Sequence, residues 1–481
     1  MFNPIDLRPV RSACEEQCAS KAGSWNWSAT SRGGRELVAP WYAQRWWGVL
    51  MCIAYPVAAV APLAILTALE PTTDHPRMVE AGVDSAIVGF TLLALLFVLA
   101  ARLSWVEGPF GLDVLMCFHR AMAIVAVALL CAHPLLVAAG SGWGLLTRWS
   151  VPWYLWAGRL GLLVVLLHVF SSLLRRTLRF AYETWRQWHN IVAFTVLGLG
   201  AVHSLAIGGD LSSPAGHIVW AGLLVIAVGA WLYSRMLRPL LMRSGWGAHL
   251  FRVSAVKAEA PRVWTISLEP LGKRFAYAPG QFQFIRIRSR LIGSAEHPFT
   301  IASSPARQAG ISLTIKESGD FTRGIGLMQP GDYATVHGPF GRFSHTLHPD
   351  ERDLVFVAAG VGITPLISML RYMSDLREPR RVLLVYASRT PADILFQDEL
   401  RAIEAAEFPA LKVVHVLSDP PAGWHGEVGR LDADRLIQLS GGPAGKAFYL
   451  CCPPPMTEAL IRGLRRHNVG TARIHTDHFS I

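Results

Sequence analysis

The sequence predicts a multidomain membrane protein: a six-helix transmembrane bundle, then a small antiparallel β-barrel domain, then a parallel α/β domain. Three observations predict it. Apolar stretches recur near residues 46–68, 82–101, 114–138, 151–174, 188–206 and 217–234, each close to the ~20 residues that cross a hydrocarbon core. After about residue 245 none returns, and short alternating segments such as Val263–Leu268, Phe282–Ile287 and Ile311–Ile315 take over, separated by Pro, Gly and polar residues, the pattern of a small barrel. Further on, Leu354–Ala359 runs into Gly360-Val-Gly-Ile-Thr-Pro365 and the amphipathic Leu366–Leu376, and the strand-like Val382–Tyr386 and Lys446–Cys451 follow. Strand, glycine turn and helix in that order make a parallel α/β unit.

The expected domains are an N-terminal segment 1–45, the bundle 46–240, the barrel 249–348 and the α/β domain 352–481, with Arg235–Gly247 as the junction between the halves. With 52% hydrophobic and 16% charged residues, the chain is too apolar for an ordinary soluble protein. Before Trp46 there is no apolar core with a small-residue cleavage site, so no removable signal peptide is expected. Arg102, Arg175, Arg176, Arg179, Arg186, Arg235, Arg238 and Arg243 flank one side of the spans, against Arg77 and Arg148 on the other. By the positive-inside rule the N-terminus and the soluble half face the cytoplasm, with the bundle in the cytoplasmic (plasma) membrane. Trp41, Trp46 and Trp47 are expected to anchor the first helix at the interface. No basic run interleaved with aromatics suggests nucleic acid. The seven cysteines form neither a disulfide ladder nor a paired CxxC zinc site; Cys14 and Cys18 share a helical face, their role open.

Four of the histidines inside the apolar stretches, where such side chains are expensive and mark function by default, repeat one spacing. His119 and His133 are 14 residues apart on the third helix, and His189 and His203 are 14 apart on the fifth. Fourteen residues make about 1400°, within ~40° of four turns, with a rise of about 21 Å. Each pair therefore faces one way at two levels of the bilayer. Helices three and five run parallel, so His119 opposes His189 and His133 opposes His203. Two opposed imidazoles at one depth suit a planar haem. Two ligands per level, with no intramembrane carboxylate nearby, argue against a zinc or di-iron cage. His168 on helix four is expected to be a packing histidine, with a contact to an inner haem propionate as the alternative. His217 lies near the outer end of helix six, where an acceptor would arrive.

In the soluble half, the backbone of Gly360 and Gly362 can approach a pyrophosphate and the following helix offers its free amides. Together the histidine pairs, His297-Pro-Phe-Thr300, Gly319-Asp-Phe-Thr322, Gly360-x-Gly-x-Thr364-Pro365, Cys451-Cys-Pro-Pro-Pro-Met456 and the terminal Asp477-His-Phe479 resemble the NADPH oxidase and ferric reductase family over residues 46–481, a haem domain fused to a ferredoxin-reductase-type module. The resemblance implies FAD held by His297, Pro298, Phe299 and Thr300, with Phe299 on the isoalloxazine, Thr300 near its N5 edge, and the Gly319–Thr322 turn at the pyrophosphate. It implies NADPH, with NADH also allowed, held by Gly360, Gly362, Thr364, Pro365, Ser388, Arg389 and Cys451. Arg389 would grip a 2′-phosphate through charge-assisted bonds. Phe479 would cover the flavin and yield to nicotinamide, sharing the catalytic role with Cys451. Cys452 stands where the family usually has glycine, which is expected to narrow the nicotinamide pocket.

The route implied runs from NADPH to FAD, then to the inner haem of His119 and His189 and the outer haem of His133 and His203. Flavin is needed because nicotinamide gives two electrons and haem takes one. With the inside negative, each electron moving outward gains about 2.3 kcal/mol per 100 mV. Two axial imidazoles leave no coordination place, so the last transfer is outer-sphere. Oxygen, yielding superoxide, is the first expectation for the acceptor and a ferric chelate the alternative. A transporter or sensor with a nucleotide-binding regulatory domain is the non-enzymatic reading, and it predicts no haem. No D-x-D-x-D-G loop occurs in residues 1–45, which argues against direct calcium gating by that route; partner subunits are left open.

Overall fold

The computed structural model describes residues 45–69, 76–101, 103–174, 182–208, 211, 213–237, 240, 249–272, 276–288, 296–307 and 310–477. Cys14, Cys18, Trp41 and Phe479 lie outside the described residues.

Among the described residues, six helices are long and apolar enough to cross a membrane: α1 (Arg45–Leu69), α2 (Arg77–Ala100), α3 (Leu112–Ser141), α4 (Trp153–Leu173), α5 (Tyr182–Ile207) and α6 (Pro214–Leu232). Their outward faces carry exposed aliphatics such as Ile218 and Val225, as a lipid solvent requires. Inside, Phe90 and Trp220 stack at 5.3 Å. The buried indole N–H of Trp220 donates to Ser204 Oγ at 2.8 Å, since no water is available in hydrocarbon. Helix α2 starts five residues ahead of its apolar stretch. The reason is close packing on α3: a Cβ at Gly82 would lie 2.9 Å from Val137, and one at Gly140 would lie 2.7 Å from Val79. Small residues let two backbones approach where lipid gives helices no other reason to associate.

The soluble half holds two six-stranded sheets. The first contains β1 (His249–Ala260), β2 (Val263–Pro270), β3 (Phe282–Arg288), β4 (Glu296–Thr300), β5 (Ile311–Lys316) and β6 (Tyr333–Phe340), antiparallel in the order β4-β3-β6-β1-β2-β5. The alternation read from the sequence becomes an inward row including Ile266, Ile285, Leu313 and Val336, wholly buried. Beyond the edge strands, Ala302 N–H donates to Ser312 O at 2.8 Å, which draws the two edges together.

The second sheet is parallel, in the order β10-β9-β8-β7-β11-β12, from β7 (Asp353–Ala359), β8 (Arg381–Ser388), β9 (Ala410–Leu417), β10 (Glu427–Val428), β11 (Lys446–Cys451) and β12 (Ile474–Thr476). Helices α7 (Ile363–Leu376), α8 (Gln397–Ala405), α9 (Ala433–Ser440) and α10 (Pro454–Arg466) accompany it. Helix α7 is also the seam with the barrel. Ser368 Oγ donates to Ser303 O at 2.7 Å, Arg371 Nη1 to Ala302 O at 2.7 Å, and Arg307 Nη2 to Asp375 at 2.9 Å. Those three positions recur at steps of three and four, one face of a helix.

Candidate functional site

Two constellations carry chemistry, one in each half. In the bundle, His119 and His133 stand on α3, and His189 and His203 on α5. The opposed pairs form as the 14-residue spacing requires: ring centres are 6.4 Å apart for His119 and His189 and 6.3 Å for His133 and His203. A metal–imidazole bond of about 2.0 Å, plus about 1.1 Å from nitrogen to ring centre, would put the centres of two imidazoles on opposite sides of one ion about 6.2 Å apart. The residues fit an iron between each pair.

The second nitrogen of each ring supports that fit. His133 Nδ1 lies 2.9 Å from Gly82 O, and His203 Nδ1 lies 2.8 Å from Tyr154 O. A carbonyl only accepts, so each Nδ1 donates and each Nε2 keeps its lone pair for a metal. Close helix approach supplies these carbonyls: a Cβ at Gly158 would lie 2.7 Å from the His203 ring. His189 differs. Its Nδ1 sits 2.7 Å from His168 Nε2, and Trp185 leans on its ring at 5.1 Å. His168 is thus hydrogen-bonded to a side chain of the neighbouring helix, a partner of which sequence spacing contained no sign. His119 Nδ1 is buried without a hydrogen bond of normal geometry. His217 is exposed at the start of α6.

In the barrel, β4 carries His297, Pro298, Phe299 and Thr300 opposite Ile285, Phe284, Gln283 and Phe282 of β3. Thr300 is 4% exposed, and its Oγ1, like both amide atoms of Gln283 across the ladder, is buried with no hydrogen-bond partner. A buried hydroxyl left unmated costs about 1–3 kcal/mol, so this row fits the polar edge of a ligand. Phe321 stacks on His297 at 4.0 Å and lies parallel to Phe299 at 6.2 Å. It comes from the Gly319–Thr322 turn and was not singled out from the sequence, although it stands inside the quoted motif. The Thr322 hydroxyl accepts from Ser318 N and Gly319 N, both at 2.8 Å, and donates to Gly319 O at 3.0 Å. It builds the turn and has little capacity left for a phosphate.

In the α/β sheet, Gly360 closes β7 with φ +53°, and a side chain on Gly362 would collide with the Cys451 carbonyl. The second glycine therefore brings the turn against the end of β11. Thr364 Oγ1 donates to Val361 O at 3.0 Å, and Tyr386 OH to Gly360 O at 3.0 Å, so two hydroxyls hold the turn in shape. Pro365 lies buried in the first turn of α7. Ser388 ends β8, its buried Oγ near the Tyr386 hydroxyl. Arg389 is exposed, with Nε 3.5 Å from Asp419. Cys451 is wholly buried, and burial, reinforced by Asp477, pushes its thiol well above the usual range; it presents a neutral S–H. Cys452, one residue past β11, packs with Val357, Leu460 and Leu464, whereas Cys451 belongs to a separate core with Phe356 and Ile363. The Cys452 Sγ donates to Val357 O at 3.6 Å, so its side chain lies in the first of these cores.

Fold and residues together define an oxidoreductase with FAD- and NAD(P)-binding domains. Residues 247–329 match an FAD-binding domain family, and residues 356–461 an oxidoreductase NAD-binding domain family. Residues 85–200, which contain His119, His133 and His189 and end three residues before His203, match the ferric reductase like transmembrane component. Along the chain the matches run ferric reductase like component, FAD-binding domain, NAD-binding domain, the order of parts that the NADPH oxidase and ferric reductase resemblance implies. It is similar to the sulfhydrogenase 1 subunit gamma of Pyrococcus furiosus, 30% identical over 40% of this chain and 65% of the relative. It is also similar to the ferredoxin reductase component of 3-ketosteroid-9-alpha-monooxygenase from Rhodococcus rhodochrous, 31% identical over 48% and 65%. The chain spans just under two thirds of the length of these relatives. A solved Amycolatopsis cytochrome P450 reductase, GcoB, is 25% identical, covers 48% of this chain and 69% of that one, and has a TM-score of 0.44.

Proposed function

We propose that this protein is a transmembrane NADPH oxidoreductase that accepts hydride on the cytoplasmic side and delivers single electrons to oxygen on the outer side. The observation that carries the reading is the pair of opposed imidazole couples, 6.3–6.4 Å between ring centres, whose spare nitrogens in His133 and His203 are committed to backbone carbonyls. Bound in this chain, FAD would divide a hydride into single electrons and two b-type haems would carry them along the bundle.

The residues take the following parts. His119 and His189 hold the inner haem, and His133 and His203 the outer one. Thr300 offers its unmated hydroxyl to the flavin edge, while His297, Pro298, Phe299 and the Gly319–Thr322 turn form its bed. Gly360, Gly362, Thr364 and Pro365 shape the backbone cradle for the nucleotide pyrophosphate. Ser388 and Arg389 receive the adenosine end, Cys451 lines the nicotinamide side, and Phe479 is the lid. Arginine bias about the spans supports a cytoplasmic soluble half. At the other end, Trp143 and Trp149 are exposed beside Arg148 and Arg159, a largely aromatic surface open to small, uncharged oxygen, which is the first reading. A ferric chelate is the second reading, supported by the match of residues 85–200 to the ferric reductase like component.

Purified protein given NADPH tests both readings. Reduced b-type absorption bands and dismutase-sensitive dye reduction are expected. Ferric-chelate reduction without superoxide would replace the first reading by the second, and a protein that takes up no haem would overturn both.

A further inference from the structure

Away from the constellations above, the described residues contain one group with metal-ligand chemistry. We infer that His348, Glu351 and His475 form a binding site for a divalent transition metal of the zinc class. One ligand atom from each lies within 4.8 Å of the others. The group is not a local sequence motif: His348 and Glu351 belong to the segment joining β6 to β7, and His475 stands on the edge strand β12, beside Tyr449 of β11.

The arrangement resembles a ligand set with its support in place. Glu351 is 6% exposed. Its Oε1 lies 2.9 Å from His475 Nε2, and its Oε2 accepts from Tyr449 OH at 2.7 Å. A phenol that orients a ligating carboxylate is the outer-shell partner metal sites commonly have. The His348 ring lies on the His475 ring at 4.0 Å, and among the described residues neither of its nitrogens has a hydrogen-bond partner. A half-buried imidazole with both nitrogens unmated, facing a buried carboxylate, is poorly explained by packing alone.

Arg342, Arg380 and Arg473 bear on the group, and Arg380 is offset by Glu378 at 3.1 Å. Two imidazoles and one carboxylate are too few oxygens for calcium or magnesium and suit zinc with an open fourth position. Such an ion would displace the proton shared by His475 and Glu351 and tie β12, which leads to the C-terminus, to the segment between barrel and α/β sheet.

The test uses purified full-length protein, stripped with chelator and then dialysed against zinc. One retained zinc per chain is expected, with X-ray absorption at the zinc edge showing two imidazoles. His348→Gln and His475→Ala should each lower retention at least tenfold, and Tyr449→Phe about 10- to 100-fold if the outer-shell role holds. Flavin content checks that each variant folds; if His475→Ala loses flavin, the half-buried His348→Gln decides. Wild-type protein that retains no zinc, or equal retention by His348→Gln, overturns the site.

Discussion

Histidines in the two halves satisfy their second nitrogen in different ways. In the bundle, His133 and His203 face the backbone carbonyls of Gly82 and Tyr154, and His189 faces another imidazole. In the soluble half, His467 pairs with Asp434 at 2.6 Å and His475 with Glu351 at 2.9 Å. The difference follows from the solvent. A carboxylate in hydrocarbon is costly, whereas a helix carbonyl is already present and needs only a small residue to let it approach. The bundle therefore orients its histidines with neutral partners, and the soluble half sets carboxylates beside some of its own.

The largest effect expected from this contrast comes from His133→Leu. Haem per chain should fall by half, and reduction of the outer acceptor should stop, while NADPH-driven reduction of a soluble dye at the flavin continues. Loss of both activities would mean the halves are not separable. His168→Leu comes next. His189 loses its orienting partner, so haem retention should fall roughly 10- to 100-fold, with the spectrum of one haem altered and the other intact; two unaltered haem spectra would remove His168 from the ligand set.

Thr300→Val tests the soluble half. Because Oγ1 has no protein partner, thermal stability should not fall, but FAD affinity should drop about tenfold, the equivalent of about 1.4 kcal/mol. Arg389→Ala should raise KM for NADPH several-fold and leave NADH kinetics unchanged, read from initial rates with both nucleotides. Asp419→Ala should move the ratio the other way, since Asp419 draws on the same guanidinium.

The smallest effect is on pH dependence. His345 is wholly buried, and burial holds its imidazole below the ordinary 6.5 although Glu378 pulls the other way. The folded chain then binds fewer protons than the unfolded chain as pH falls through 6.5. Its contribution to stability is whole above pH 6.5 and declines below it. A melting midpoint for the soluble half that does not fall on acidification below pH 6.5 would contradict this.

Much of the fold was legible because it is periodic. Apolar length counts the spans, alternation marks β2, β3 and β5, and the strand running into Gly360 and Gly362 marks the nucleotide turn. The opposed histidine pairs were legible too, since 14 residues nearly complete four turns. Local patterns determine such features within a few turns of chain.

What tertiary structure decided lies between segments distant in sequence. The Gly82 carbonyl is 51 positions from His133, and Tyr154 is 49 from His203. His168 reaches His189 on the next helix, Cys452 turns into the core beyond β11, and Glu351 meets His475 over 124 positions. By itself, the sequence determined which side chains are able to ligate and at what depth along a helix. Which nitrogen of each ring is left to do so depends on how closely backbones pack, and that was settled only when the helices came together.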